Sequence, residues 1–416
     1  MSDCAPLPSD SFDLCVVGAG ISGLCLAQMA AGHGQRTLVL EQRPEAGGCL
    51  CSAPVGDSGW LELGAHTCYN SYRRFLDVMA GTDFLTRATP RKSMGFRMVE
   101  QGALRSIPSC LNFWEAALAL PRMFGARKAG RTAAEYYSRI LGARNWARVL
   151  HPALNAVASQ ETQGFPADAL FKPRNGRRKD VVKSFAVRGG LGPAVQALGR
   201  LPGIHCALDQ GAVELLRTPA GFQLRTSRGE TVQARRVALA VPPDVAAALL
   251  APAFPELAAH LGRIETRTVK TLGLVFRDPL AHLPRLTGLI LPEGPCFSAV
   301  SADTFPVPGR RAWAFHFGSA AEEGEMAGYA CRVLGARPDQ VEASFRRDHT
   351  MPAMAMGHDA WLQALDAKLP GSGLMVVGNY LSGLSIEDCA GRALAESQRV
   401  WPGEGVSSVV GQPPSR

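Results

Sequence analysis

Apolar and polar positions along this chain recur in three patterns, each predicting a different element. Apolar runs at 14–17 and, after Thr37, at 38–40 read as buried parallel strands. Period-two alternation at 269–276, 288–291 and 312–317, with shorter strands near 94–99, predicts a sheet in a second lobe. Between them, 111–158 carries helical spacing. A hairpin is expected from 211–217 and 222–226, with Pro219 and Gly221 breaking the chain between the arms. No internal repeat is visible. The long apolar stretch 237–254 is interrupted by Pro242, Pro243, Asp244 and Pro252, so no segment predicts a membrane span.

The first strand leads into Gly18-Ala-Gly20-Ile21-Ser22-Gly23. Gly18 permits a tight turn, Gly20 lets the backbone approach a pyrophosphate, and Gly23 allows close packing of helix on sheet. The helix starting near Ile21 then directs its positive end and free N–H groups at phosphate. Glu41 closes the second strand at the spacing where a carboxylate accepts ribose hydroxyls. Strand, glycine turn, helix and spaced acid together predict a dinucleotide site. To this point NAD and FAD fit equally.

Arg43-Pro-Glu-Ala-Gly47-Gly48 adds a second glycine pair just after the acid, and Leu61-Glu-Leu-Gly64-Ala65-His66 follows. Far downstream, Gly373-Leu-Met-Val-Val-Gly378-Asn379 precedes Ser385-Ile386-Glu-Asp388-Cys389. In these segments the chain resembles the flavin monoamine oxidase and protoporphyrinogen oxidase superfamily, the closing segment being nearest the protoporphyrinogen oxidase branch. The resemblance implies FAD, bound noncovalently. It also implies an α/β fold: a Rossmann-like, glutathione-reductase-type FAD domain, an α+β substrate domain and a helical insert. The FAD domain is expected from 11–75, 181–250 and 365–400, and the substrate domain from 76–180 and 251–364. The insert falls at about 111–158, and 402–416 is expected to be a loose tail.

The same resemblance assigns roles. Gly47 and Gly48 lie against the diphosphate, Gln42 and Arg43 stand among the cofactor contacts, and Gly64 and Ala65 reach toward the flavin ring. Val213 sits where a valine backbone contacts adenine. Gly378, Asn379, Ser385, Ile386 and Asp388 close the site, the helix start at Ser385 and Ile386 facing the negative charge of reduced flavin. Lys270 resembles the amine oxidase lysine that holds a water at the flavin and assists reoxidation by oxygen. Arg97 lies beside the position where protoporphyrinogen oxidases keep an arginine for a substrate propionate. His66, with Tyr69 and Asn70, is placed to line the cavity. These three, Lys270, His66 and Arg97, are the candidate catalytic side chains.

Composition narrows the classes. With 46% hydrophobic and 19% charged residues over 416, the chain is a well-cored globular protein of more than one lobe. Its formal charge of +8 is dispersed and no nucleic-acid motif accompanies it. The local exception is Lys172-Pro-Arg-Asn-Gly-Arg-Arg-Lys179, a solvated connection or a contact for an anionic membrane surface. Eleven cysteines at scattered spacings form no disulfide ladder or metal set, Cys49 and Cys51 included, and predict free thiols in the cytoplasm. The pattern is silent on oligomeric state.

The expected activity is dehydrogenation of a small molecule, a reduced pyrrolic or other heterocyclic ring, with hydride passing to flavin and O2 as acceptor. Two readings compete: a flavin amine oxidase acting at a C–N bond, and a non-redox FAD isomerase or mutase.

Overall fold

The computed structural model describes residues 7, 11–92, 94–174, 176–277 and 280–402; the expected tail beyond Pro402 lies outside them. Two seven-stranded sheets organise the chain. In the first, Phe12–Val17 is central, with Thr37–Leu40 and then Ile204–Ala207 parallel on one side. On the other side runs Thr231–Leu239, also parallel. It continues into the antiparallel Gly221–Thr226 and Ala212–Thr218, and pairs at its far end with Leu374–Val376. The first three of these strands show no exposed residue except in Ile204–Ala207, because helices cover both faces of a parallel sheet.

The helix Ile21–Gly32 and the closing helix Ile386–Val400 pack together over one face. The closing helix begins on a capping box: the Ser385 hydroxyl accepts from the Asp388 N–H while the Asp388 carboxylate accepts from the Ser385 N–H.

The second sheet runs Val341–Pro352, Thr266–Phe276, Arg311–Phe317, Cys296–Ser301, Gly288–Ile290, Phe96–Glu100, Ala103–Ser106. It is antiparallel apart from the Gly288–Ile290 and Phe96–Glu100 pair. One face, with Leu272, Leu274, Phe315 and Phe317, packs on the helix Glu323–Leu334. The other face, with Val275 and Ala314, meets Val55 and Leu61 of a small hairpin under the first lobe. The fold is the expected α/β architecture with parallel and antiparallel sheets. The longest strand, Val341–Pro352, has no counterpart among the expected elements, although its exposure alternates regularly.

The expected insert breaks into Phe113–Ala119, Ala133–Leu141 and His151–Ala158, the last two joined through a π-helical turn at Trp146–Leu150. No helix among the described residues is long and apolar enough to cross a membrane.

Candidate active site

A cleft of about 400 Å³ opens between the two sheets. Its walls begin with Gly18, Gly20, Ile21, Ser22, Glu41, Gln42 and Arg43. They continue through Gly48, Cys49, Gly64 and Ala65 to Gly378, Asn379 and Ile386, with Gly211 and Ala212 on the flank. Segments far apart in sequence converge here because the parallel strands all end at this edge, the crevice where such sheets bind ligands.

Backbone geometry separates the glycines by purpose. Gly18 has φ +103°, and an added Cβ would lie 2.6 Å from the Ala240 carbonyl oxygen. At Gly23 it would lie 2.1 Å from the Gly18 carbonyl oxygen. Both are demanded by the protein's own packing. Gly20 differs: its φ of −70° suits any residue and its nearest neighbour would be Gly48 Cα at 4.0 Å. Nothing in the protein requires glycine there, so the open space belongs to a ligand. Gly47 bridges Gly20 and donates to the Ala19 carbonyl, bringing the two glycine turns face to face. The helix Ile21–Gly32 has no side-chain cap and no acid in its first turn, leaving its positive end for an anion.

Glu41 is buried, one carboxylate oxygen accepting from Ala19 N at 2.8 Å and the other from Arg43 N at 3.0 Å. Each oxygen keeps lone pairs for a ribose hydroxyl. Behind Gly48, Arg347 donates to its carbonyl and pairs with Glu45 at 3.3 Å, while its buried Nε has no partner among the described residues. The donor set and the glycine cradle fit a dinucleotide diphosphate. Burial pushes the Cys49 thiol up despite Arg43 and Arg347 nearby, so it stands in the wall as a neutral thiol.

Beyond Ala65 the wall changes character. Val157, Ala158, Val269, Leu384 and the His316 ring line it. His316 Nδ1 meets Thr271 Oγ1 at 3.0 Å and its Nε2 meets His66 Nε2 at 2.9 Å. His349, also on the wall, is held by the Leu63 carbonyl at 2.9 Å. Burial drives His316 to about 3 and His349 to about 4, and with the facing His316 it holds His66 well below the usual value. All three are neutral imidazoles at pH 7. His66 therefore stands behind His316 as its partner. His316, His349 and Thr271 escaped the sequence reading; the alternation that placed Val269 inward also places Thr271 there, while His316 carried no local signal.

Below pH 6.5 the unfolded chain binds protons that these folded histidines refuse. The stability they contribute is complete above 6.5 and is lost as pH falls through that value toward 4. A urea-unfolding series from pH 7.5 to 4.5 should show this loss, and it should be smaller in His349→Gln; an identical slope in that variant would remove the assignment.

Several sequence expectations are corrected. Lys270 shares the face of Leu272 and Leu274, and its ammonium donates to the Ala321 carbonyl at 2.8 Å. Strand alternation turns it away from the cleft that Val269 lines. Lys270→Met should therefore leave reduction by substrate and reoxidation by oxygen within about twofold of the parent in stopped flow. A selective slowing of reoxidation would restore the lysine. Arg97 is exposed, on the side of its strand opposite the buried Met98, and lies outside the cleft wall. Ser385 and Asp388 turn their side chains toward each other in the cap, and Arg174 donates to Ser385 Oγ at 2.6 Å. Of that motif, Ile386 and Cys389 reach the wall. Val213 is half exposed at a strand irregularity beside Ala212; the wall residues there are Gly211 and Ala212.

The description of flavin-containing amine oxidoreductases matches residues 21–401. The chain belongs to that family. FAD is accordingly the cofactor of this family member, and the glycine cradle, Glu41 and the bare helix terminus are the residues suited to hold it. Similarity to other proteins is local in sequence and broad in fold. A 15-cis-phytoene desaturase of Narcissus pseudonarcissus is 34% identical over 68 residues, 16% of this chain and 12% of the desaturase. The chain thus matches only about an eighth of that relative's length. A UDP-galactopyranose mutase of Mycoplasma genitalium is 51% identical over 39 residues, 9% of this chain and 10% of the mutase. A structure from Exiguobacterium sp. 255-15, described as a protoporphyrinogen oxidase, aligns with TM-score 0.73 at 15% identity over 95% of this chain and 99% of that one. That likeness is one of fold.

Proposed function

We propose that this flavoenzyme dehydrogenates an apolar reduced ring, pyrrolic or otherwise heterocyclic and without fixed charge, using molecular oxygen as acceptor. The charge distribution of the cleft carries this reading. Its charged wall residues among those described are Glu41, Arg43 and Asp348. Glu41 bonds the glycine turn, and Arg43 Nη2 donates to the Asp348 carbonyl at 3.4 Å. All three therefore belong to the dinucleotide end. The remaining wall carries aliphatic side chains and neutral polar ones, among them Ser159, His316, His349 and Thr350, and a charged substrate group would lose its hydration there without a counter-ion.

FAD, when bound, supplies the acceptor for the hydride. The chain's own residues orient and shield. Val157, Val269 and Leu384 hold the ring by apolar contact, and His316, with both ring nitrogens engaged by Thr271 and His66, presents a neutral ring to the cleft. Ile386, at the start of the closing helix, adds a further apolar contact on the wall. With Arg97 outside the cleft and Arg43 at its dinucleotide end, no arginine among the described residues is placed to anchor a substrate propionate, which favours a ring without carboxylates.

Family membership supports a second reading, oxidation at the C–N bond of a neutral amine. The ten cysteines among the described residues are all free, which suits action in a reducing compartment such as the cytoplasm. Anaerobic mixing with reduced pyrroles, pyrrolines and primary or secondary amines, followed by the visible absorbance of oxidised flavin, separates the readings. Bleaching by ring substrates is expected. Bleaching by amines alone would establish the second reading, and none by any redox donor would favour non-redox chemistry.

A further inference from the structure

The helix Phe113–Ala119 and the turn after it are built inside out. Asn112 caps the helix through its side chain. Glu115 points inward, its two carboxylate oxygens accepting from Arg144 N and Asn145 N at 3.0 Å each. Asn145 accepts from Asn112 N and donates to Asn112 O. The inner side of the segment is thus fastened by polar bonds, and Ala119 is its one buried apolar residue. The outer side carries Phe113, Trp114, Leu118, Leu120, Met123 and Phe124, with Trp114 84% and Phe124 87% exposed. Trp114 and Leu118 are one turn apart on one face. Six large apolar side chains within twelve residues form a contiguous patch of a kind rarely left to water.

Charge selects the partner. Between 101 and 134 stand Arg105, Arg122, Arg127, Lys128 and Arg131 against a single acid, Glu115, which is turned inward. A two-fold contact between copies of the chain would set these like charges opposite one another. An anionic, apolar-cored surface satisfies both features.

The patch also adjoins the cleft. Lys128 Nζ donates to Leu170 O at 3.0 Å, Phe171 beside it is exposed, and Lys172 Nζ donates to Ser382 O at 2.7 Å, two residues before the wall residue Leu384. The basic loop, read from sequence as a solvated connection or a membrane contact, turns Lys172 and Arg174 onto the closing segment, and Arg178 onto Asp180 and Asp77.

We propose that the 113–124 platform docks the enzyme on an anionic lipid bilayer, seating Trp114, Leu118 and Phe124 at the headgroup boundary with Arg122 and Arg127 at the level of the phosphates. This holds whichever substrate the cleft takes.

Co-sedimentation of the full-length, FAD-loaded protein with vesicles of phosphatidylcholine alone, or mixed with phosphatidylglycerol, tests it. Binding is expected to the mixed vesicles and to weaken at high salt. The triple variant Trp114→Ser, Leu118→Ser, Phe124→Ser should retain flavin and circular dichroism, since its sites are exposed, yet bind at least about tenfold more weakly. Arg122→Glu with Arg127→Glu should abolish the preference for anionic vesicles. Wild-type protein that ignores both vesicles, binds them equally, or binds no better than the triple variant would overturn the proposal. So would a dimer in sedimentation velocity that the triple variant dissociates while vesicle binding persists.

Discussion

Gly20→Val is expected to fold and to purify with its FAD affinity reduced at least about tenfold, a loss of ~1.4 kcal/mol or more. What a side chain at each glycine would meet decides the outcome. At Gly20 the backbone is ordinary and the nearest protein atom to a new Cβ is 4.0 Å away. The apoprotein therefore tolerates the branch, while the diphosphate, which must approach Gly20 and the start of the helix Ile21–Gly32, does not. Gly20→Ala should fall between parent and valine. Gly23→Ala acts differently, because its Cβ would lie 2.1 Å from the Gly18 carbonyl oxygen and must disrupt folding with or without flavin. Flavin-to-protein absorbance ratios and thermal melts of the apo forms distinguish the two modes. A well-folded Gly20→Val chain carrying full FAD would sink the assignment of this cradle.

Glu396→Ala should cost about 3–5 kcal/mol, the usual penalty for breaking a buried ion cluster by removing one member. Glu396 is 2% exposed and accepts from Arg392 at 2.9 Å, from Arg399 at 2.7 Å and from Val376 N at 3.3 Å. Arg392 is itself buried and also bonds the Val376 carbonyl. The cluster fastens the closing helix to the strand Leu374–Val376, just ahead of Gly378 and Asn379 in the cleft wall. Its removal leaves the buried Arg392 with Asp366, at 2.8 Å, as its remaining carboxylate partner, deprives Arg399 and Val376 N of this acceptor and loosens the wall. Urea unfolding of apo and FAD-loaded protein checks this: both should lose stability, the loaded form also losing flavin earlier in the titration. A change below about 1 kcal/mol would show that solvent reaches the cluster.

The closing segment illustrates how differently the two levels spoke. Ser385 and Asp388 stand three apart before a helical run, and that spacing serves equally a helix cap and a flavin contact. Sequence could not separate them, because both uses require a small polar residue and an acid at the same helical offset. Only the fold, which places Arg174 and Gly383 against this pair, assigns the side chains to the cap. Lys270 is the same problem in a strand. Alternation showed that Val269 and Lys270 face opposite ways, yet which face meets the cleft is set by the helix Glu323–Leu334 covering the other side.

What the sequence determined by itself is local and backbone-driven. The strand, the glycine turn, the helix and Glu41 lie within thirty or so consecutive residues, where allowed dihedrals and short-range sterics act without reference to the remaining chain. The dinucleotide cradle was legible for that reason, while FAD in place of NAD, and the α/β architecture around it, came from the resemblance. The substrate side was not legible. His66 and His316 are separated by 250 positions, and no periodicity links them until two sheets pack. The platform at 113–124 reads in sequence as another amphipathic helix, because apolar spacing fixes which residues share a face but not whether that face meets protein or the outside. That choice was made in three dimensions, where the polar bonds of Asn112, Glu115 and Asn145 turn the opposite face inward.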